Sequence, residues 1–447
     1  MAKKIISFCF FLLILVEIFF PFNLLSQEVK VLTIDEAIKK ALSSNPNLIA
    51  LKLEAVAAKK RKEEVIANHF GEIDFIGSYN HYERNRILVP MAVDLFKNPE
   101  LGMSQLPWDR NQTHYGITFT IPLFTGGTLF ENDKIASHAE KSAKNHYLFS
   151  REELVYNVKS AYRNTLILKH ALKSSSTFLE ALEKDLEDYQ FKFNLGQVAS
   201  VDLQKIKFAY ESAKSQYEEV KSQYTESLAV LCALLGEELG ENRYELKDID
   251  EGTDIPSLDE DIEKILLNRK DYLAQIEVTK MTYYKKLLAI SAFSPKLVLQ
   301  GTFLKNSAPS LPDDIYTREL IVGLKIPLFN GLKRVRTIEE ASINLEIARQ
   351  KEKAKKLEIE THIIKAKERI ATAKALYEAG VAQRNLGQEI ARIEKLKLEQ
   401  GSGKMEDYLN ARAQELNGET SYWRGFYLLQ NSVDYYRFVS GKGDTNE

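Results

Sequence analysis

Internal duplication constrains the fold of this chain more than any other feature of its sequence. Short motifs of the first half return in the second half at a constant offset of 205 residues: Pro122–Gly126 returns as Pro327–Gly331, Gly196 as Gly401, Asp202 as Asp407, and Gly236 as Gly441. Such a ladder of matches is typical of a repeated structural unit. The opening motif at 34–38 returns at 258–262, an offset of 224. The first copy must therefore contain a longer loop upstream of residue 122.

The first 26 residues have the pattern of a secretory signal peptide. Lys3 and Lys4 precede an apolar run from residue 5 to residue 16, and Ser26 follows two leucines. The alternative is an uncleaved anchor helix, but a bilayer core requires about 20 apolar residues. We therefore expect residues 1–26 to be removed. Cys232 is then the only cysteine left of the two in the chain, which excludes an intrachain disulfide.

The same order of elements is predicted for both copies: an opening helix, two strands, a very long helix, a glycine turn and a return helix. In the first copy, 27–236, the strands are predicted at about 72–82 and 113–122 and the helices at 128–195 and 200–235. In the second copy, 257–441, the strands are predicted at about 296–305 and 319–328 and the helices at 332–400 and 404–440. A linker at 237–256 and a tail at 442–447 complete the plan. The opening helices are predicted at about 35–69, interrupted near its start by Pro46, and at about 259–293.

The long helices have the periodicity of coiled coils. Neither glycine nor proline occurs between Gly127 and Gly196, and apolar or small residues follow steps of four and three from Leu154 to Phe193. This spacing favours left-handed packing of a rod about 100 Å long. In the second copy, Gly380 and Gly387 lie within the long helix, and we expect a bend or a packing adjustment there.

The predicted strands alternate apolar and small or polar residues. In the second strand, residues 115, 117, 119 and 121 are apolar or aromatic, and 116, 118 and 120 are glycine or threonine. Strands of about ten residues with this period can cross an outer membrane. The alternative is a pair of soluble hairpins packed on a helix. Because four strands cannot close a barrel and an open edge is costly in lipid, a membrane location requires oligomerisation.

These motifs together resemble the TolC-type outer-membrane efflux family. They are the opening segment Leu32–Ala37 with Asn45–Pro46, the strand-ending Pro-Leu-Phe-x-Gly, the turn with glycine and aspartate, and the duplication. The resemblance implies a mixed α/β membrane protein: a homotrimer sharing a 12-stranded outer-membrane β-barrel, four strands per chain, and a long periplasmic coiled-coil α-barrel. It also implies a passive channel for efflux or type I secretion, without catalysis or cofactor, that docks onto a periplasmic adaptor protein and an inner-membrane transporter.

The same resemblance assigns roles to the two glycine turns. It predicts a pore constriction at Asp407, Asn410 and Asp202, with asparagine at 410 where the family has a second acidic residue. The adaptor-contact tips are Leu195, Gly196 and Gln197 in the first turn and Gly401, Ser402, Gly403 and Lys404 in the second. Some relatives latch the residue at the position of Asp202 with an arginine, whose position is Gly403 here. The alternative is that both aspartates merely cap the return helices.

Other classes of function find little support in the sequence. The balance of 61 basic and 63 acidic residues gives no broad cationic field for nucleic acid. Residues 401–404 resemble the end of a phosphate-binding loop, but Leu398 and Met405 break that motif. The histidines form no HExxH motif, and no nucleophile lies beside a base. The remaining rival is a periplasmic coiled-coil adaptor or scaffold without channel activity, although an adaptor would usually insert one hairpin into a β-rich chain.

Overall fold

The computed structural model describes residues 30–88, 107–237, 244–249, 254–311 and 313–443. The predicted signal peptide, 1–26, lies outside these ranges. The same is true of parts of the first strand-connecting loop, of the linker at 237–256 and of the tail at 442–447.

Fourteen helices and strands follow one another along the described chain. In chain order they are β1 (Lys30–Leu32), α1 (Ile34–Ser44), α2 (Pro46–Ala67), β2 (Glu72–Ile87), β3 (Trp108–Phe124), α3 (Thr128–Asn194), α4 (Ser200–Leu235), β4 (Tyr244–Leu246), α5 (Ile262–Asn268), α6 (Lys270–Ser291), β5 (Lys296–Ser307), β6 (Ile315–Lys325), α7 (Lys333–Glu399) and α8 (Met405–Val439). Within these ranges, no helix has a stretch apolar and long enough to cross a bilayer.

The duplication extends to the lengths of the elements. Helices α2 and α6 have 22 residues each and begin 224 positions apart, and β2 and β5 begin at the same offset. Helices α3 and α7 have 67 residues each and begin 205 positions apart. The offset therefore changes within the strand hairpins, where the connection between β2 and β3 is longer than the one between β5 and β6.

Several predicted boundaries differ from the structure. Strand β2 continues to Ile87 and β3 begins at Trp108, because Arg86 pairs with Asp109 and Ile87 with Trp108 beyond a bulge. Strand β6 is predicted to end at residue 328 but ends at Lys325. Pro327 lacks the backbone N–H group that a longer strand would need for its hydrogen bonds. The single opening helix predicted at 259–293 is wrong. It is divided into α5 and α6 at Arg269, which has an extended backbone with φ −70° and ψ 112°.

Four strands form one antiparallel sheet in the order β2-β3-β5-β6, so β2 and β6 are its outer strands. Phe75 lies opposite Ile117, which lies opposite Phe303 on the other side. Because side chains alternate along a strand and cross-strand partners share a face, these residues lie on one face of the sheet. Val322, on the same face of β6, is 61% exposed. This apolar face is thus largely uncovered within the chain.

The chain forms two compact units, and each takes segments from both copies of the repeat. The turn unit comprises the described residues within Met1–Ser44, Asn157–Gly252 and Tyr377–Tyr427. The sheet unit comprises those within Asn45–Tyr156, Thr253–Leu376 and Leu428–Glu447. The four-stranded sheet belongs to the sheet unit. The parallel pair β1–β4 and both glycine turns belong to the turn unit.

In the turn unit, the core of α3 is wider than the predicted seam. Thr165 and Leu182, both on the seam, are buried, but Tyr162 and Leu166 outside it are also fully buried. The Tyr162 hydroxyl lies 2.7 Å from the carbonyl oxygens of both Leu32 and Lys247, at the ends of β1 and β4. The helix thus packs with more than one neighbour, which a coiled-coil seam alone does not provide.

Three glycines allow α7 and α8 to approach closely in the turn unit. A Cβ atom on Gly380 would lie 2.8 Å from the Ser421 carbonyl oxygen, and one on Gly418 would lie 2.6 Å from that of Gln383. Gly387 is similarly close to the backbone of α8. Helix α7 remains one element across these positions. The sequence predicts either a bend or a packing adjustment at these glycines, and the structure has the packing adjustment.

The sheet unit contains a buried arginine clamp at the break between α5 and α6. Arg269 is 3% exposed and donates two hydrogen bonds to Asp271, at 2.8 and 2.7 Å. Its remaining nitrogen donates to the carbonyl oxygens of Phe438 and Val439, the last residues of α8. The guanidinium therefore satisfies acceptors that a helix C-terminus leaves open while its charge is neutralised.

Replacing the clamp should destabilise the protein substantially. The variant Arg269→Met leaves the half-buried Asp271 carboxylate without its main partner. We expect the free energy of unfolding to fall by about 3 kcal/mol. Guanidinium unfolding of the full chain in detergent, followed by circular dichroism, measures this change. The control Arg392→Gln removes an exposed pair with Glu389 and should leave the free energy of unfolding almost unchanged, because solvent screens exposed ion pairs. Equal effects of the two variants would contradict the clamp.

Candidate functional site

The turn between α3 and α4 is closed by backbone hydrogen bonds around a left-handed glycine. Gly196 has φ +74°, its N–H donates to the Phe193 carbonyl, and the Gln197 N–H donates to the Lys192 carbonyl. This is the Schellman arrangement that ends many helices, and it requires a residue that tolerates positive φ. The sequence therefore folds into a tight turn at this glycine rather than into an open loop.

The turn between α7 and α8 repeats this geometry and adds one backbone hydrogen bond. Gly401 also has φ +74°, and the N–H groups of both Ser402 and Gly403 donate to the Lys397 carbonyl. A Cβ atom on Gly403 would lie 2.9 Å from the Leu398 backbone nitrogen. A side chain at 403 is therefore excluded in this conformation, which gives a physical reason why no arginine occupies the position.

The predicted constriction residues lie in or just after the first turns of the two return helices. Asp202 is the third residue of α4 and half-buried, whereas Asp407 is the third residue of α8 and exposed. Asn410 is exposed and follows Asp407 by three residues, so both lie on one face of α8. The N-cap of α4 is Ala199, without a side-chain bond. The two aspartates therefore interact favourably with the helix dipoles, but neither is the residue that caps its helix.

A small apolar cluster joins two helical hairpins, the first formed by α3 and α4 and the second by α7 and α8. Its buried members are Ile206 of α4 and Met405 and Tyr408 of α8. The Tyr408 hydroxyl donates a 2.8 Å hydrogen bond to Asp185 of α3. Lys205 of α4 lies 3.5 Å from Glu406 of α8. Two polar contacts thus join the second hairpin to the first beside the apolar cluster.

The electrostatics of this cluster reflect its burial. Burial, and then the bond to Asp185, raises the pKa of the Tyr408 hydroxyl, so it remains a donor at physiological pH. Burial also raises the pKa of Tyr189, assisted by the nearby carboxylates of Asp202 and Asp185. Sequence reasoning missed Tyr408 and Asp185. The available signal was the spacing of Met405 and Tyr408, which places them on one side of α8, away from Asp407 and Asn410.

The two tips differ in chemistry although their backbones match. The first exposes large apolar side chains: Leu195 is 56% exposed, and Val201, the second residue of α4, is 62% exposed. The second exposes Ser402, which lies between its two glycines, and Lys404, which follows them. A partner that contacts both tips would therefore require an apolar surface for one and hydrogen-bonding groups for the other.

The turn unit also contains a cavity of about 460 Å³ lined by α3, α7, α8 and Asp248. The imidazole of His170 stacks on Trp423 with ring centroids 3.6 Å apart, and its Nε2 lies 3.2 Å from an Asp248 oxygen. Burial lowers the pKa of His170, and the Asp248 carboxylate opposes this shift. In the cavity wall, the Arg412 guanidinium donates a hydrogen bond to the Glu415 carboxylate on the same helix, α8. Charges around the cavity are therefore largely compensated, and among described residues no three-residue metal cluster occurs.

Solved structures with a similar fold include outer-membrane proteins. The Campylobacter jejuni CmeC outer membrane channel is 19% identical, with a TM-score of 0.78 over 93% of this chain and 87% of that one. The outer membrane protein VceC of Vibrio cholerae is 13% identical, with a TM-score of 0.73 over 92% and 96% of the two chains. A membrane protein of Pseudomonas aeruginosa is 18% identical, with a TM-score of 0.76 over 91% and 93%. The chain thus has the fold of outer-membrane channels.

Residues 37–237 match the family described as outer membrane efflux protein. The resemblance to the TolC-type outer-membrane efflux family, indicated by the sequence motifs, is therefore confirmed. No curated protein matches the chain.

Removing one hydroxyl at the joined hairpin ends should loosen them selectively. In Tyr408→Phe the ring still fills the apolar cluster, but Asp185 loses its donor, which should cost about 1–3 kcal/mol locally. We expect faster amide hydrogen exchange at residues 183–190 and 404–410, and unchanged exchange in the four-stranded sheet. Tyr217→Phe, which changes a tyrosine of α4 away from this cluster, is the control. Equal exchange at residues 183–190 and 404–410 in wild type and Tyr408→Phe would show that the bond does not hold these two segments together.

Proposed function

We propose that this chain is one subunit of a passive outer-membrane duct that carries small molecules or proteins away from an inner-membrane pump. Three copies would share one barrel of 12 strands, four from each chain, and their helices would continue as a periplasmic tunnel. The observation that carries the proposal is the open four-stranded sheet, which has an exposed apolar face and two outer strands.

Unpaired backbone groups at the two edges of the sheet favour assembly of several copies. The outer edges of β2 and β6 present backbone N–H and C=O groups, and each such group left unpaired in hydrocarbon costs several kcal/mol. Adjacent strands in the sheet are antiparallel, so β2 and β6 run in opposite directions. The β6 edge of one copy can therefore pair antiparallel with the β2 edge of the next. Closure by copies of the same chain removes every edge, as a barrel in lipid requires.

The apolar face supports a membrane location over a soluble hairpin pair. Leu320, Val322 and Leu324 alternate along β6 and are each more than 60% exposed. A face of this kind on a soluble protein would be an aggregation hazard. In the proposed barrel it faces lipid, and the opposite face, with Thr118 and Thr302 paired across β3 and β5, lines the lumen.

The two helical tips would be the docking and gating end. Leu195, Gly196 and Gln197 of the first tip and Gly401, Ser402, Gly403 and Lys404 of the second would meet a periplasmic adaptor protein. Asp407, Asn410 and Asp202 would line the constriction. The bond between Tyr408 and Asp185 supports a closed arrangement of each subunit's hairpins without the arginine latch. Because the duct is passive, transport energy would come from the inner-membrane transporter.

Assembly and conductance together test the proposal. The mature chain, lacking residues 1–26, should fractionate with outer membranes, extract only with detergent and have the mass of three subunits by native mass spectrometry. In planar bilayers it should form ion-conducting channels. A monomer that stays soluble without detergent would contradict the proposal, and a trimer without conductance would indicate a scaffold instead.

Asp407 should set the charge selectivity of the channel. In a trimer, three exposed carboxylates near a narrow axis would favour cations. We expect Asp407→Asn to lower the cation-to-anion permeability ratio by about twofold or more, measured from reversal potentials in a salt gradient. The control Glu406→Gln removes the neighbouring exposed carboxylate, which pairs with Lys205, and should change the ratio less. Unchanged reversal potentials in Asp407→Asn would remove Asp407 from the constriction.

A further inference from the structure

An exposed arginine lies on the apolar face of the sheet, near its loop-side end. Arg318 of β6 pairs in register with Phe303 of β5 and shares a face with Leu320 and Val322. Its guanidinium carbon lies 5.4 Å from the centre of the Phe303 ring. In the part of the chain that the structure describes, no carboxylate lies within ion-pair distance of this guanidinium. A cation without a counterion thus borders the surface that we assign to lipid.

A second cation lies diagonally across the same pair of strands. Lys305 of β5 is opposite Tyr316 of β6, one pair beyond Arg318 on this face. Diagonal neighbours of this kind are about 7–8 Å apart. Lys305 forms a 2.6 Å ion pair with Asp314 and lies over the ring of Tyr115. One of the two cations is therefore neutralised within the chain, and the net charge of the cluster is positive.

We propose that Arg318, with Lys305 beside it and the rings of Phe303 and Tyr316 around it, binds the phosphate of a membrane-lipid headgroup. The proposal rests on the proposed function, because it requires the apolar face to lie in a membrane. It adds a specific lipid site to the channel wall, at the level where the hairpin loops begin.

The chemistry of the site fits a lipid phosphate better than a free anion. A guanidinium presents a planar fork of donors that matches phosphate oxygens in two parallel hydrogen bonds. Towards the helical end of the same face, Leu320 is 68% exposed and Val322 is 61% exposed. Acyl chains attached to the phosphate can cover these side chains, and a free anion cannot. Aromatic rings at this level are typical of a membrane–water interface.

Native mass spectrometry of the full detergent-solubilised assembly can test the site, with phosphatidic acid as the probe. We expect Arg318→Gln to weaken phosphatidic acid binding about tenfold or more, and Arg318→Lys to weaken it less because one charge but not the fork remains. The control Arg336→Gln removes the same charge from an exposed pair with Glu339 on α7 and should leave the affinity unchanged. Diacylglycerol, which lacks the phosphate, should not compete.

Four outcomes would overturn the assignment. Equal phosphatidic acid binding by wild type and Arg318→Gln would mean that Arg318 takes no part, and competition by diacylglycerol would mean that only acyl chains are recognised. Inorganic phosphate competing as well as the lipid would indicate a free-anion site. Loss of trimers in Arg318→Gln would indicate a contact between subunits. Wild-type conductance is measured separately, so failure of the lipid site is distinguishable from failure of the proposed channel.

Discussion

Backbone hydrogen bonding at the edges of one sheet limits what this chain can do. Strands β2 and β6 pair on one side only in the sheet that the described residues form, and the face they share is rich in exposed apolar side chains. Lipid contact and unpaired edges are incompatible unless another chain supplies the missing strand. The long helices have a related requirement, because amphipathic helices of this length need neighbouring helices along their whole length. The proposed assembly of identical copies would meet both requirements.

Much of the fold could be predicted because the duplication provides two versions of every element. Left-handed glycines end the helices at Gly196, Gly236, Gly401 and Gly441, so glycine positions alone locate these ends closely. The break at Arg269 was missed because no proline marks it. It was nevertheless available from the repeat, since Asn45, which caps α2, lies 224 residues earlier at the same offset as the neighbouring helices.

The candidate site could be predicted less well than the fold. Resemblance placed Asp202, Asp407 and Asn410 at the helix starts, and their roles at a constriction stay predictions. The bond between Tyr408 and Asp185 joins residues more than 200 positions apart, and the stack of His170 on Trp423 joins two other distant segments. Periodicity indicates which side of a helix is covered but not which residue covers it. Partner identity in such contacts needs three-dimensional coordinates.

The unequal hairpins offer an internal comparison of loop length. Strands β5 and β6 are joined through residues 308–314, whereas the equivalent connection between β2 and β3 takes residues 88–107. Flanking helices keep the same lengths in both copies, so the extra segment leaves the scaffold's dimensions untouched. Because lengthening a chain connection costs little conformational entropy, the connection between β2 and β3 can change in length without altering the strands it joins. The two copies of the repeat can therefore diverge at their strand connections while their long helices keep matching lengths.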